Sequence, residues 1–137
     1  MAKRIIHSRR VGQHQSLNTR SFPAGSLIFE EGTEGHTAYI ILSGLVEITK
    51  TGWAGEEVLG YTGQDEIFGE MSLIDSAPRM ASARAVKDTE CLVIPEEVLR
   101  DKLEKADPFI RDLLNILVDG LRSLTEDRIL KVDNPKD

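Results

Sequence analysis

The sequence predicts a mainly β domain, a barrel or sandwich of short strands followed by C-terminal helices, on three observations. Glycines at 25, 32, 35 and 44 cut the first part of the chain into short runs at intervals of seven, three and nine residues. From Pro95 onward the apolar period changes from two to about 3.6, the helical value. Between these regions, Phe68 to Ala85 (FGEMSLIDSAPRMASARA) packs a glycine, a carboxylate, a short helical run, a Pro-Arg pair and then small residues into eighteen positions.

Length and composition bound the reading. At 137 residues and 15.2 kDa the chain is one domain by the usual prior, and 40% hydrophobic with 29% charged residues is ordinary for a globular protein. Net charge is −6, unevenly spread: the first 29 residues carry +5 from Lys3, Arg4, Arg9, Arg10 and Arg20, so the remaining 108 carry −11. An acidic body argues against nucleic-acid binding, whose affinity rests on basic surface. The single Cys91 excludes an internal disulfide and sits in the apolar run Cys91-Leu92-Val93-Ile94 as a small hydrophobe. No N-terminal segment has the apolar core of a secretory signal, and the longest apolar run, Ala38 to Leu42, is far too short to cross a bilayer. A cytoplasmic protein or fragment is expected.

In chain order, residues 1–20 show no sustained periodicity and are expected to form a basic, extended or weakly helical arm. Ser21-Phe22 opens the strand region, with Pro23-Ala24-Gly25 as a turn before Leu27-Ile28-Phe29. Ala38-Tyr39-Ile40-Ile41-Leu42 reads as a buried strand, and Val46 to Lys50 alternates as a half-exposed one. Thr51 to Glu57 is a hairpin tip leading into Val58-Leu59-Gly60-Tyr61, and Gly63-Gln64-Asp65 turns the chain into Ile67-Phe68. Ala83 to Lys87 and Glu90 to Ile94 complete a β region over residues 21–94.

Helices are expected over residues 95–130. Pro95 suits a first helical turn, with Glu96 and Glu97 complementing the dipole and Val98, Leu99 and Leu103 forming a stripe through Ala106. Asp107-Pro108 starts another helix, as an N-cap followed by proline at the first position. Ile110, Leu113, Leu114, Leu117, Leu121 and Leu124 then mark one apolar face, whose default role is packing on the barrel. Residues 131–137 are a polar tail.

The stretch at 68–85 has the makings of an anion site. Gly69 allows close backbone approach, and the amides of Glu70, Met71 and Ser72 open a short helix where the dipole favours negative charge. Pro78 is expected to end that helix and present Arg79, whose planar fork matches a phosphate's oxygens. Ala81 and Ser82 leave room beside the main chain. Glu70 would be repelled by a phosphate and makes sense if it accepts hydrogen bonds from hydroxyls. Each residue also has a structural reading: Glu70 can complement the helix dipole, and Arg79 can pair with Glu70 or Asp75.

This stretch resembles the phosphate-binding cassette of the cyclic-nucleotide-binding domain family, which includes catabolite-activator-type regulators, kinase regulatory subunits and cyclic-nucleotide-gated channels. Gly69-Glu70, Leu73, Pro78-Arg79, Ala81-Ser82 and Ala85 carry the likeness. The nine-residue step from Glu70 to Arg79 is closer to the kinase and channel form. Upstream, Gly25, Ile28, Phe29, Glu31, Gly32, Gly35, Tyr39, Ile40, Ser43 and Gly44 follow the family's opening pattern in order.

The resemblance implies a double-stranded β-helix (jelly-roll) barrel with flanking helices and a C-terminal helix pair. It also implies a sensor for a 3′,5′-cyclic nucleotide and no catalytic residue, cofactor or metal. Arg79 would neutralise the cyclic phosphate with amides near Glu70 to Ser72 and Met80 to Ala81, and Glu70 would hold the ribose 2′-hydroxyl. Leu59 and Tyr61 would face the base, a position that plain core packing explains equally well. The last helix would close over the pocket, with Arg122, Thr125 and Arg128 as candidate lid contacts. Met80 stands where a threonine favours guanine, which tilts the expectation toward cyclic AMP over cyclic GMP.

Partners implied are an effector protein or covalently linked effector domain, and a homodimer through the C-terminal helix. Only about seven polar residues follow Leu130, so no helix-turn-helix is expected there, and the chain reads as a stand-alone sensor or an excised piece. Two alternatives stay open. One is a degenerate member of the fold acting as an interaction or dimerisation module, against which intact Gly69, Glu70 and Arg79 argue. The other is a cupin-type metalloenzyme, against which stands the histidine count of three, His7, His14 and His36, two of them in the arm.

Overall fold

A computed structural model of the chain describes residues 17–133, with side chains described through residue 125. Eight strands are seen among them: β1 (Thr19–Phe22), β2 (Leu27–Phe29), β3 (Thr37–Ser43), β4 (Val46–Gly52), β5 (Gly55–Thr62), β6 (Ile67–Phe68), β7 (Ser82–Ala85) and β8 (Thr89–Pro95). Three helices accompany them: α1 (Glu70–Asp75), α2 (Glu96–Glu104) and α3 (Pro108–Asp133). The strands form two four-stranded antiparallel sheets, ordered β1-β8-β3-β6 and β2-β7-β4-β5. This interleaving is the jelly roll expected from the resemblance. The first sheet takes in Thr19 and Arg20, which the sequence placed in the arm, because both pair with β8 opposite Leu92 and Cys91. The rest of the arm lies outside the described residues.

The alternating strands turn one face of each sheet inward, and Phe22, Tyr39, Ile41, Val46, Phe68, Ala83, Ala85 and Cys91 form the core between them. Burial of each large side chain here contributes roughly 1.5–3 kcal/mol. Burial also pushes the Cys91 thiol up to about 11, which leaves it the inert hydrophobe the sequence suggests. Tyr39 is the hub, edge-on to Phe22 at 5.6 Å and stacked with Phe68 at 5.2 Å and Phe29 at 6.4 Å. Its hydroxyl accepts a hydrogen bond from Thr37 Oγ1 at 2.9 Å. This cluster supports the end of the barrel from which the 68–85 stretch emerges.

The last helix packs with an unexpected face. Arg111, Leu114, Val118, Arg122 and Thr125 turn toward the body, and Val118 is buried. The predicted stripe is largely in solvent: Ile110, Leu113, Leu117, Leu121 and Leu124 are exposed, Leu124 by 67%. Apolar residues cover more than one side of α3, so periodicity alone did not select the side that meets the barrel.

Candidate functional site

The cassette is built outward from Phe68, which is buried and pairs with Tyr39 across β6 and β3. Gly69 follows in the left-handed region at φ 82° and caps α1. A Cβ there would stand 2.9 Å from Arg79 Nη1 and 3.2 Å from the Phe29 ring, so both conformation and space call for glycine. Ser72 and Leu73 bury the inner side of α1. Ser76, not Pro78, ends this helix: it takes φ 60° and its amide donates to the Ser72 carbonyl at 3.0 Å. The Asp75 carboxylate caps the turn by accepting the Ala77 amide at 3.0 Å. Helical geometry is thus already broken two residues before the proline, which is left to lead into Arg79.

Arg79 is 5% exposed, and neutral groups hold it. Nη1 donates to the Gly69 carbonyl at 2.8 Å and Nη2 to the Thr37 carbonyl at 2.7 Å. Its guanidinium carbon lies 3.9 Å from the centre of the Phe29 ring, a cation–π contact. The main chain is pinned too, with the Arg79 amide donating to Thr33 O and its carbonyl accepting from Gly32, both at 2.8 Å. Nε is buried without a partner, and among the described residues no carboxylate lies at ion-pair distance. Desolvation lowers the pKa of Arg79 from its ordinary value. Glu70 is perturbed the other way: burial raises its carboxyl, against the smaller pull of its own amide and of Arg79.

Two neighbouring hollows share Ile48 and Met80. The first, about 140 Å³, is lined by Phe29, Ile67, Phe68, Gly69, Glu70, Met71, Ser72, Arg79, Ala81 and Arg122 as well. The second, about 270 Å³, adds Leu59, Gly60, Tyr61, Thr62 and Thr125. Together they reach the lower part of the roughly 300–1,000 Å³ range of small-molecule sites. Glu70, Arg79 and Arg122 give the first its charged groups within a largely apolar lining, and the second is a wall of strand and helix side chains.

The residues singled out from sequence are therefore gathered in space. Gly69, Glu70, Met71, Ser72, Arg79, Met80 and Ala81 surround the first hollow, and Leu59 and Tyr61 the second. Tyr61 is also exposed, its hydroxyl donating to Glu47 at 3.2 Å, and the Glu47 carboxylate raises its pKa. Of the candidate lid residues, Thr125 lines the second hollow. Arg122 lines the first and is bound to Asp75, so Asp75 is not the partner of Arg79. The Arg128 side chain lies outside the described residues. Sequence reasoning missed Thr37, which acts through its backbone, and the stacking role of Phe29. It also missed the service of Gly35, where a Cβ would stand 2.6 Å from the Arg79 guanidinium. No spacing rule announces these contacts, because they form between β2, β3 and the cassette only after folding. Among the described residues no group of three or more His, Cys, Asp or Glu could hold a metal, and no helix is long and apolar enough to cross a membrane.

This fold and site define a class. The family described as Cyclic nucleotide-binding domain matches residues 19–106, and the chain belongs to it. It is 44% identical over 79 residues to the Cyclic AMP receptor protein of Thermus thermophilus, covering 57% of this chain and 37% of that protein. It is 33% identical over 88 residues to a cAMP-dependent protein kinase regulatory subunit of Mycosarcoma maydis, covering 64% of this chain and 17% of that one. Among solved structures, the EAL enzyme Bd1971 in its cAMP-bound form matches at TM-score 0.77 and 33% identity, over 81% of this chain and 30% of that one. Its cGMP-bound form matches at TM-score 0.73 and 34% identity, over 80% of this chain and 30% of that one. The chain thus spans well under half the length of these relatives.

Proposed function

We propose that this chain is a cytoplasmic, non-catalytic sensor that binds a 3′,5′-cyclic nucleotide, cyclic AMP in preference to cyclic GMP, and signals through its last helix. The observation that carries the reading is the state of Arg79. A buried guanidinium whose acceptors are backbone carbonyls keeps its full positive charge, and its Nε hydrogen has no partner. Burying a charge with no ion-pair partner is expensive, and an anion in the adjoining hollow offsets that expense. A cyclic phosphodiester supplies one negative charge. Glu70, on the same wall, then faces the ribose 2′-hydroxyl, and the base extends past Met80 toward Leu59, Tyr61 and Thr125.

Support for cyclic AMP is the presence of Met80 where a threonine would offer a hydroxyl to guanine. Bd1971 is seen with either nucleotide, so the preference rests on this residue alone. Signalling would reach an effector protein or linked effector domain, because Arg122 and Thr125 place α3 against both hollows. The exposed stripe of α3 would pair with a second copy. Titration calorimetry with both nucleotides tests the reading: tighter binding of cyclic AMP is expected. Absence of heat and of any thermal shift with either ligand would instead favour a degenerate interaction module.

A further inference from the structure

The geometry points to Arg122 as a positioning residue: we propose that its guanidinium clips the 75–78 turn to α3 and thereby sets where Arg79 stands. The inference rests on the cyclic-nucleotide reading of the site and gives Arg122 a role there other than a lid contact with the ligand. Arg122 Nε donates to Asp75 Oδ2 at 2.5 Å, Nη2 to Asp75 Oδ1 at 3.1 Å, and Nη1 to the Pro78 carbonyl at 3.3 Å. The two side chains are only 15% and 11% exposed, so solvent screens this forked pair far less than a surface one.

One guanidinium therefore grips both ends of a four-residue turn. That turn needs an outside hold. It contains the left-handed Ser76, its own ties are the Ser76 and Ala77 amides, and strand pairing resumes only at Ser82. Pro78 is bonded directly to Arg79, so the carbonyl held by Arg122 belongs to the peptide that delivers Arg79. The loop at Gly32 and Thr33 pins the Arg79 main chain from the opposite side. With all three of its nitrogens engaged, Arg122 acts on the cassette and leaves contact with the base to Thr125, one helical turn on. Ligand affinity and the seating of α3 are then linked, and linkage is reciprocal: whatever unseats the helix weakens the site, and ligand seats the helix.

The test is calorimetric affinity for cyclic AMP in the full chain. Arg122→Gln and Asp75→Asn should each weaken binding about tenfold, and the double variant no more than either alone, because both break one unit. Arg122→Lys, which keeps the charge and loses the fork, should fall between. In an Arg79→Gln background, Arg122→Gln should cause almost no further loss. Unchanged affinity in the single variants overturns the clip. So does a loss for Arg122→Gln with none for Asp75→Asn, which would mark Arg122 as a direct ligand contact. A parent chain that fails to bind overturns the sensor reading and the clip together, whereas binding by the parent with flat variants overturns the clip alone.

Discussion

Glu70 and Arg79 line the same hollow, and one cause, loss of solvent, shifts their pKa values in opposite directions. Burial disfavours charge on both, yet neither relieves the other through an ion pair. Such tension is expected where binding, not stability, places a residue. Because the folded-state pKa of Glu70 is raised, the folded protein holds that proton more tightly than the unfolded chain. Stability from this group is therefore present at acid pH and lost as pH rises through the raised value. Glu70→Gln should raise the melting temperature of the ligand-free protein at neutral pH, with the gap closing on acidification. A Gln variant less stable at neutral pH, by a margin independent of pH, would contradict the assignment. The same change should weaken cyclic AMP binding while costing little for the 2′-deoxy ligand.

The elements were largely legible in the sequence, and the exceptions have physical causes. Strands β2 to β6 and β8 declare themselves through glycine punctuation and apolar runs, signals set by nearest neighbours, and β7 overlaps the strand expected at Ala83 to Lys87. The end of α1 does not: Pro78 is the loudest local breaker, yet the turn is already closed by the Ser76 amide on the Ser72 carbonyl and the Ala77 amide on Asp75. The cassette residues were legible as a cluster, while the acceptors that aim Arg79, Gly69 O and Thr37 O, were not, since a backbone carbonyl carries no sequence signature. The segment between β2 and β3 therefore matters more than its composition suggests. Gly35→Ala would drive a methyl into the guanidinium and the Ser72 Cβ, at 2.6 and 2.8 Å. Overpacking of this kind costs about 1–3 kcal/mol, to be read from a denaturant midpoint, and cyclic AMP affinity should fall with it. Wild-type affinity in that variant would show that Arg79 has slack which the packing denies.

At the scale of the molecule, the barrel carries the pocket while α3 shows two faces, one on the barrel and one in solvent. Ile110, Leu117 and Leu124 recur every seven residues with Leu113 between them, all exposed, a spacing that would suit a coiled-coil seam with a second copy. Sedimentation should find the parent dimeric and Leu117→Glu monomeric; a parent monomeric at every concentration would rule the seam out as a self-association face. A helix seated on the pocket by one face and on a second copy by the other could transmit occupancy between protomers, provided ligand favours one seating. All of this depends on Arg79 as the receiver of the phosphate. The direct measurement is the calorimetric affinity of Arg79→Ala for cyclic AMP, set beside the parent. The account predicts a loss of about 2–5 kcal/mol, the range for removing one partner of a buried charge-assisted contact. A folded Arg79→Ala variant that binds as tightly as the parent would contradict it.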